Sequence, residues 1–222
     1  MLQQNHGNLA PKIIIIAVLA HGCAKSETHY EPNAYPRLAS KWSSTTIPVC
    51  WEPLTIPAED FALEKSWVKT KVEREYEEHT TLDFTGWNEC STSDSDGIRI
   101  RIADEGPHTK GLGKTLKGVK NGMLLNFTFE NWSTSCQQNR KRCIEGIGVH
   151  EFGHAVGLAH EHNRPDTPAT CDSEAQGTNG DQTIGKWDLH SVMNYCSPVY
   201  NNNGNLTETD IRGINSMYGP RP

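Results

Sequence analysis

The sequence predicts an α+β domain, on three observations. Ile98-Arg99-Ile100-Arg101-Ile102 alternates apolar and charged residues, as a half-exposed strand does. Glu59 to Glu78 carries Phe61, Leu63, Trp67, Val68, Val72 and Tyr76 at roughly helical spacing. Ile144 to Gly157 is a largely apolar stretch that reads as a buried helix. At 222 residues the chain is long enough for one domain with a sizeable core.

The remaining elements follow in chain order. Lys12 precedes an apolar run, Ile13 to Ala20, too short to cross a bilayer as a stable helix. Small residues and Cys23 come next, so residues 1–22 read as an export signal. With Gly22 before it, Cys23 suits a lipid-anchored N-terminus; the alternative is an ordinary secretory signal with an incidental cysteine. Residues 23–45 read as a tether or a short prosegment, polar and Pro-containing from Ala24 to Pro36. Ile47 to Trp51 looks like the first strand, and residues 46–222 form the main domain. Asp94-Ser95-Asp96-Gly97 reads as a turn, with a structural calcium ion as the weaker alternative. Gly111 to Lys120 holds an edge strand or a loop, and Met123 to Phe129 another strand. Beyond residue 160 the chain is loop-rich until Thr207, a plausible N-cap for a helix from Glu208 to Tyr218 that Gly219-Pro220 ends.

A net charge of −6 gives no basic patch, so nucleic acid is not an expected partner. Apart from Cys23, six cysteines remain: Cys50, Cys90, Cys136, Cys143, Cys171 and Cys196. In an exported chain an even set suggests disulfides. Cys136 and Cys143 can close a loop ahead of the buried helix only if that loop is not helical, and a bridge from Cys196 would brace the turn before it. No C-x-x-C pair argues for metal binding by thiolates.

The chemistry sits in His150-Glu151-Phe152-Gly153-His154-Ala155-Val156-Gly157-Leu158-Ala159-His160, which spells H-E-x-x-H-x-x-G-x-x-H. On a helix, His150 and His154 lie one turn apart on one face and can point at one ion. Glu151 can reach a water at that ion without binding the ion. Gly157 tolerates a sharp turn that brings His160 back as a third ligand. Three protein ligands leave a fourth position open, as a catalytic zinc site requires. Burying these polar groups among Ile147, Val149, Phe152 and Val156 would be costly without such a partner.

Downstream, Ser191-Val192-Met193-Asn194-Tyr195 places a methionine and a tyrosine after the motif. With Glu161, Arg164 and Asp166 beyond the third histidine, the chain resembles the astacin branch of the metzincin peptidases. It departs from the usual pattern at Leu158, Thr167 and Asn194. The resemblance implies a metzincin fold: a twisted mixed sheet with an active-site helix and a backing helix above a zinc cleft, over a small irregular C-terminal part ending in a helix. It implies one catalytic zinc on His150, His154 and His160, Glu151 as general base, and Tyr195 as a group that steadies the transition state. Met193 would form the turn beneath the metal, and Glu161 would be a structural residue that receives the mature N-terminus. Peptidases of this architecture add the substrate as an antiparallel strand to a sheet edge, here expected between Gly111 and Phe129.

The expected function is therefore zinc-dependent endopeptidase, acting on proteins or peptides and working as an exported monomer, with a membrane reached only through the lipid anchor. The competing expectation is a catalytically silent surface module that keeps the fold and binds a partner. Glu151 separates the two, because structural zinc does not need it.

Overall fold

The computed structural model describes residues 34–54, 60–91 and 96–222. The export signal, Cys23, the first part of the tether, Glu59, and Asp94 and Ser95 of the turn lie outside the described residues. The described residues form five strands: β1 (Thr46–Trp51), β2 (Asp83–Glu89), β3 (Ile98–Ile102), β4 (His108–Thr109) and β5 (Met123–Leu125). The helices are α1 (Ala62–Val72), which runs on through a wider π turn at Glu73–Glu77, α2 (Thr134–Gln138), α3 (Arg140–Val156) and α4 (Glu208–Tyr218).

The sheet order is β2-β1-β3-β5-β4, parallel except for β4, which runs antiparallel to β5. Val49 pairs with Ile98, Trp51 with Ile100 and Ile100 with Met123, so the alternating apolar residues fall on one face. That face meets α1 and α3 in a single core that includes Tyr76, Phe84, Leu125 and Phe152. β2 escapes the sequence reading because Gly86 and Trp87, both at positive φ, interrupt it. The pairing with β1 slips there, between Val49/Cys50 and Gly86/Asn88. The bulge turns the Trp87 ring onto Phe152 of α3, with ring centroids 5.5 Å apart.

The edge strand differs from expectation. It is His108–Thr109, just before the expected window, while Gly113–Leu116 forms a 3-10 turn. The turn buries both Leu112 and Leu116, which an extended strand would hold about 13 Å apart. β5 also ends early, at Leu125. The Asn126 side chain takes over there, its Oδ1 accepting from Thr128 N and Phe129 N and its Nδ2 donating to Asp104.

All six cysteines outside the export region pair: Cys50–Cys90, Cys136–Cys143 and Cys171–Cys196. The chain breaks between α2 and α3 at Asn139, so the Cys136–Cys143 loop is not one continuous helix. Thr207 caps α4 as expected, in a reciprocal capping box with Asp210.

From Ala34 onward the N-terminal segment is packed into the fold. Ala34 bridges Ile184 and Pro36 bridges Leu158. The last carbonyls of α3, which have no partner within the helix, are taken up from outside. Trp42 Nε1 donates to Ala155 O (2.7 Å), the Tyr218 hydroxyl to Val156 O (2.7 Å) and Arg37 N to Gly157 O (2.8 Å). No helix among the described residues is long and apolar enough to cross a membrane.

Candidate metal centre

α3 carries three glycines ahead of its end, each an intrinsic weakness in a helix. Gly153 repays that weakness with a close approach: a Cβ there would lie 2.4 Å from the Met193 sulfur. Met193 is thus seated directly against the helix at Gly153. At Gly157, φ reaches 110°, and Leu158 N reaches back to Gly153 O in the six-to-one bond of a Schellman turn. The reversal carries His160 back across the face of α3.

His150, His154 and His160 converge. Each Nδ1 faces a backbone carbonyl: His150 on Val192 O (2.8 Å), His154 on Leu158 O (2.8 Å) and His160 on Gln176 O (2.9 Å). A carbonyl only accepts, so each Nδ1 carries the proton and each Nε2 is left with a bare lone pair. The Nε2 atoms of His150 and His154 lie 3.2 and 3.1 Å from that of His160. No proton is left to bridge them, and burial holds all three rings neutral, His150 down to about 3. Three lone pairs at that range repel unless a cation sits among them. Tetrahedral zinc–nitrogen bonds set neighbouring nitrogens roughly 3.3 Å apart, so the donor set fits one zinc ion.

Glu151 is buried, and its Oε2 has no hydrogen-bond partner. Desolvation alone pushes its carboxyl up to about 8. It lines the clefts on both sides of the histidines, as does Tyr195. The Tyr195 ring stacks on His150 (5.5 Å between centroids) and on His162 (4.6 Å) and leans over His160 (4.5 Å). Burial raises its phenol to about 12, so it stays a donor. His162 is neither solvated nor part of the converging set: it is buried, and its Nδ1 accepts from Tyr195 N. His190 is exposed.

Glu161 lies beneath the site. Burial pushes its carboxyl up and Arg164, 3.2 Å away, pulls it back, while Asp188 N donates to its Oε1 (3.0 Å). Of the calcium candidate, the described Asp96 is exposed and pairs with Lys117. Sequence reading missed Asp188 and Asp210, the two carboxylates that tie this turn down. Asp210 accepts from Ser191 Oγ (2.6 Å) and Val192 N (3.0 Å), and so fixes the carbonyl that orients His150. Asp188 is a lone acid with no motif around it, and the T-x-x-D pattern at Thr207–Asp210 marks Asp210 only as part of a helix cap.

No family model matches the sequence, and no curated protein does either. Solved structures do match in shape. A structure of myroilysin aligns with 85% of this chain and 99% of its own at a TM-score of 0.58 and 21% identity. A second crystal structure of myroilysin aligns with 84% of this chain and 89% of its own at 0.50 and 19% identity. The fold is metzincin-like. In that metzincin-like frame the three histidines come from the helix and the turn after it, with the Met193 turn below and the edge strand β4 alongside.

Proposed function

We propose that the chain is a zinc-dependent endopeptidase of the astacin type, hydrolysing peptide bonds of proteins. The observation that carries this reading is the convergence of three proton-free Nε2 atoms beside a buried carboxylate oxygen without a partner. Held by His150, His154 and His160, zinc supplies Lewis acidity toward a water and toward a carbonyl. Glu151 takes the proton of the attacking water at Oε2 and delivers it to the leaving amine. Burial that raises its proton affinity suits both transfers. Tyr195, whose protonated phenol reaches the cleft, donates to the developing oxyanion. The substrate strand lies along β4, whose outer side borders the cleft. A silent binding module has no use for Glu151, since an unpaired buried carboxylate is costly and structural zinc does not need it.

The same reading divides the chain into an export signal (1–22), a tether or prosegment (23–45) and a catalytic domain (46–222), with Cys23 as the lipid anchor and a monomer as the working form. Three disulfides support an oxidising destination.

The test is an unbiased peptide-library digest with the wild-type chain and Glu151→Ala, with zinc measured on both. Cleavage should fall about 10³-fold in the variant, with close to one zinc retained. A variant that keeps turnover within tenfold of wild type removes Glu151 from the mechanism.

A further inference from the structure

We infer that the loop between β4 and β5, with the basic cavity on the outer face of the sheet beside it, is an exosite for an acidic stretch of a protein substrate. It lies outside the cleft and takes residues well upstream of the scissile bond. The inference rests on the peptidase reading and narrows its substrate class. The net charge of −6 hides a local excess of cations. From residue 98 to 122, Arg99, Arg101, Lys110, Lys114, Lys117 and Lys120 stand against only Asp104 and Glu105.

The loop is built to present these charges. Lys110 N donates to Gly122 O (2.8 Å) and closes it, and residues 110–122 hold four lysines and no acid. Leu112 and Leu116 are buried, whereas Lys110, Lys114, Lys117 and Lys120 are exposed. Gly113, at a φ of 54°, packs so closely that a Cβ there would lie 2.0 Å from Ser40 O. The apolar side of the loop is thus anchored, and the lysines are held outward before any partner arrives.

The cavity beside the loop measures about 630 Å³, with Glu52, Arg99, Arg101, Lys120 and Asn121 in its walls. Arg99 and Arg101 stand two apart on β3 and so share the face opposite buried Ile98 and Ile100. Arg99 and Glu52 are nearly buried and cancel each other. Arg99 Nε and Nη2 donate to the two Glu52 oxygens (2.9 and 3.0 Å), and Asn121 N donates to Oε1 (3.0 Å). Arg101 pairs with Glu105 where both are about half exposed, a pair that water weakens. Lys117 pairs with exposed Asp96. Among the described residues no carboxylate pairs with Lys110, Lys114 or Lys120. Cations gathered in this way repel one another, and an anionic partner relieves the repulsion.

Continuity with the cleft selects the partner. Lys110 lines the cleft together with His154 and His160, and its Nζ donates to Lys120 O (3.1 Å), in the wall of the cavity. One side chain therefore joins the two. A substrate strand antiparallel to β4 has its N-terminal part over the end of β4, so the residues ahead of the scissile bond leave the cleft at this loop. No aromatic side chain lines the cavity for a base to stack on, which favours a polypeptide over nucleic acid.

The test uses the full chain loaded with zinc and fluorogenic peptides that share one cleft-filling sequence. Each carries ahead of it a run of about four Glu, Gln or Lys. At about 0.05 M salt the Glu run should raise kcat/KM about tenfold over the Gln run, through KM, and the Lys run should lower it. At about 1 M salt the gain should shrink below about twofold. The same Glu run moved to the downstream end should also gain less than about twofold. Lys114→Glu/Lys120→Glu should turn the preference toward the Lys run, a gain that a poorly folded variant cannot give. No gain from the upstream Glu run, or an equal gain from either end, overturns the exosite and leaves the peptidase reading standing. If no peptide is cleaved, fluorescence anisotropy of the same peptides with Glu151→Gln decides. Binding of the Glu-run peptide about tenfold tighter than the Gln-run peptide supports the exosite while the peptidase reading falls, and equal or absent binding overturns it.

Discussion

Above the cleft, the described residues between 46 and 156 supply strands and helices whose apolar faces meet at Ile47, Val49, Ile98, Ile100, Phe84 and Phe152, all close to fully buried. Below it, residues 158–207 hold only two 3-10 turns, at Glu161–Asn163 and Tyr200–Gly204. The lower part keeps its shape through side chains that bond to backbone. Arg164 Nη1 donates to Ala34 O and Ile184 O (3.1 Å each), its Nη2 donates to Gly185 O (2.6 Å), and it pairs with Asp166 and Glu161. Asn163 is bonded to Gln176 both ways, through its amide nitrogen and its oxygen. The difference teaches how one chain builds a precise site from two materials. His150 and His154 stand on a helix fixed by core packing, and His160 on a loop fixed by charged hydrogen bonds, and the metal centre joins them.

The strongest way to break this comparison is Arg164→Leu. The side chain is fully buried, and its loss strands the buried Glu161 carboxylate without its cation. Removing one member of such a pair costs about 3–5 kcal/mol. Hydrogen exchange should speed up across 158–190 while β1, β3 and β5 keep their protection. Equal acceleration in the sheet would mean that the two parts open as one unit.

Next in size is the Cys171–Cys196 bridge, which spans 25 residues and ties the loop after Asp166 to the methionine turn. Closing a loop of that length is worth roughly 3 kcal/mol. The double variant Cys171→Ser/Cys196→Ser should lose about that much in urea unfolding and bind zinc more weakly. Unchanged zinc affinity would show that Asp188 and Asp210 hold the turn without the bridge.

Acid tests the joint. Burial pulls His150 to about 3 and His162 to about 4, and lowers His154 and His160 as well. Between those values and the ordinary 6.5, the unfolded chain binds more protons than the folded one. Stability from these groups is complete above about pH 6.5 and drains away as pH falls. Glu151, raised to about 8, and Asp210, raised to about 6, work in the opposite sense, so one group must be isolated. In metal-free protein, His162→Gln should flatten the slope of stability between pH 5 and 6 by up to about 1.4 kcal/mol per pH unit. An unchanged slope would mean that His162 takes up its proton in the folded state.

The same division governs what the sequence reveals. β1, β3, α1, α3 and α4 are legible because packing imposes a period, and the H-E-x-x-H-x-x-G-x-x-H run because one ion imposes a spacing. β2 is hidden by its bulge at Gly86–Trp87, and β4 is too short at two residues to show alternation. The polar frame below the cleft leaves no period at all. Arg164 bonds to residues 130 positions before it and 20 positions after it, and such pairings can be seen only once the chain is folded.

Thr207 gives the smallest and sharpest test, because it belongs to both materials. As N-cap of α4 its hydroxyl accepts from Asp210 N (3.1 Å), and it also donates to Asp188 (2.9 Å), whose own amide holds Glu161. Losing a cap alone costs about 1 kcal/mol, and Thr207→Ser should restore nearly all of it. If the hydroxyl also steadies the polar frame, Thr207→Ala should speed exchange at Asp188 and Ser191, whose amides lie outside α4. Loss confined to the first turn of α4 would reduce Thr207 to an ordinary cap and leave Asp210 to tie the start of that helix to the methionine turn.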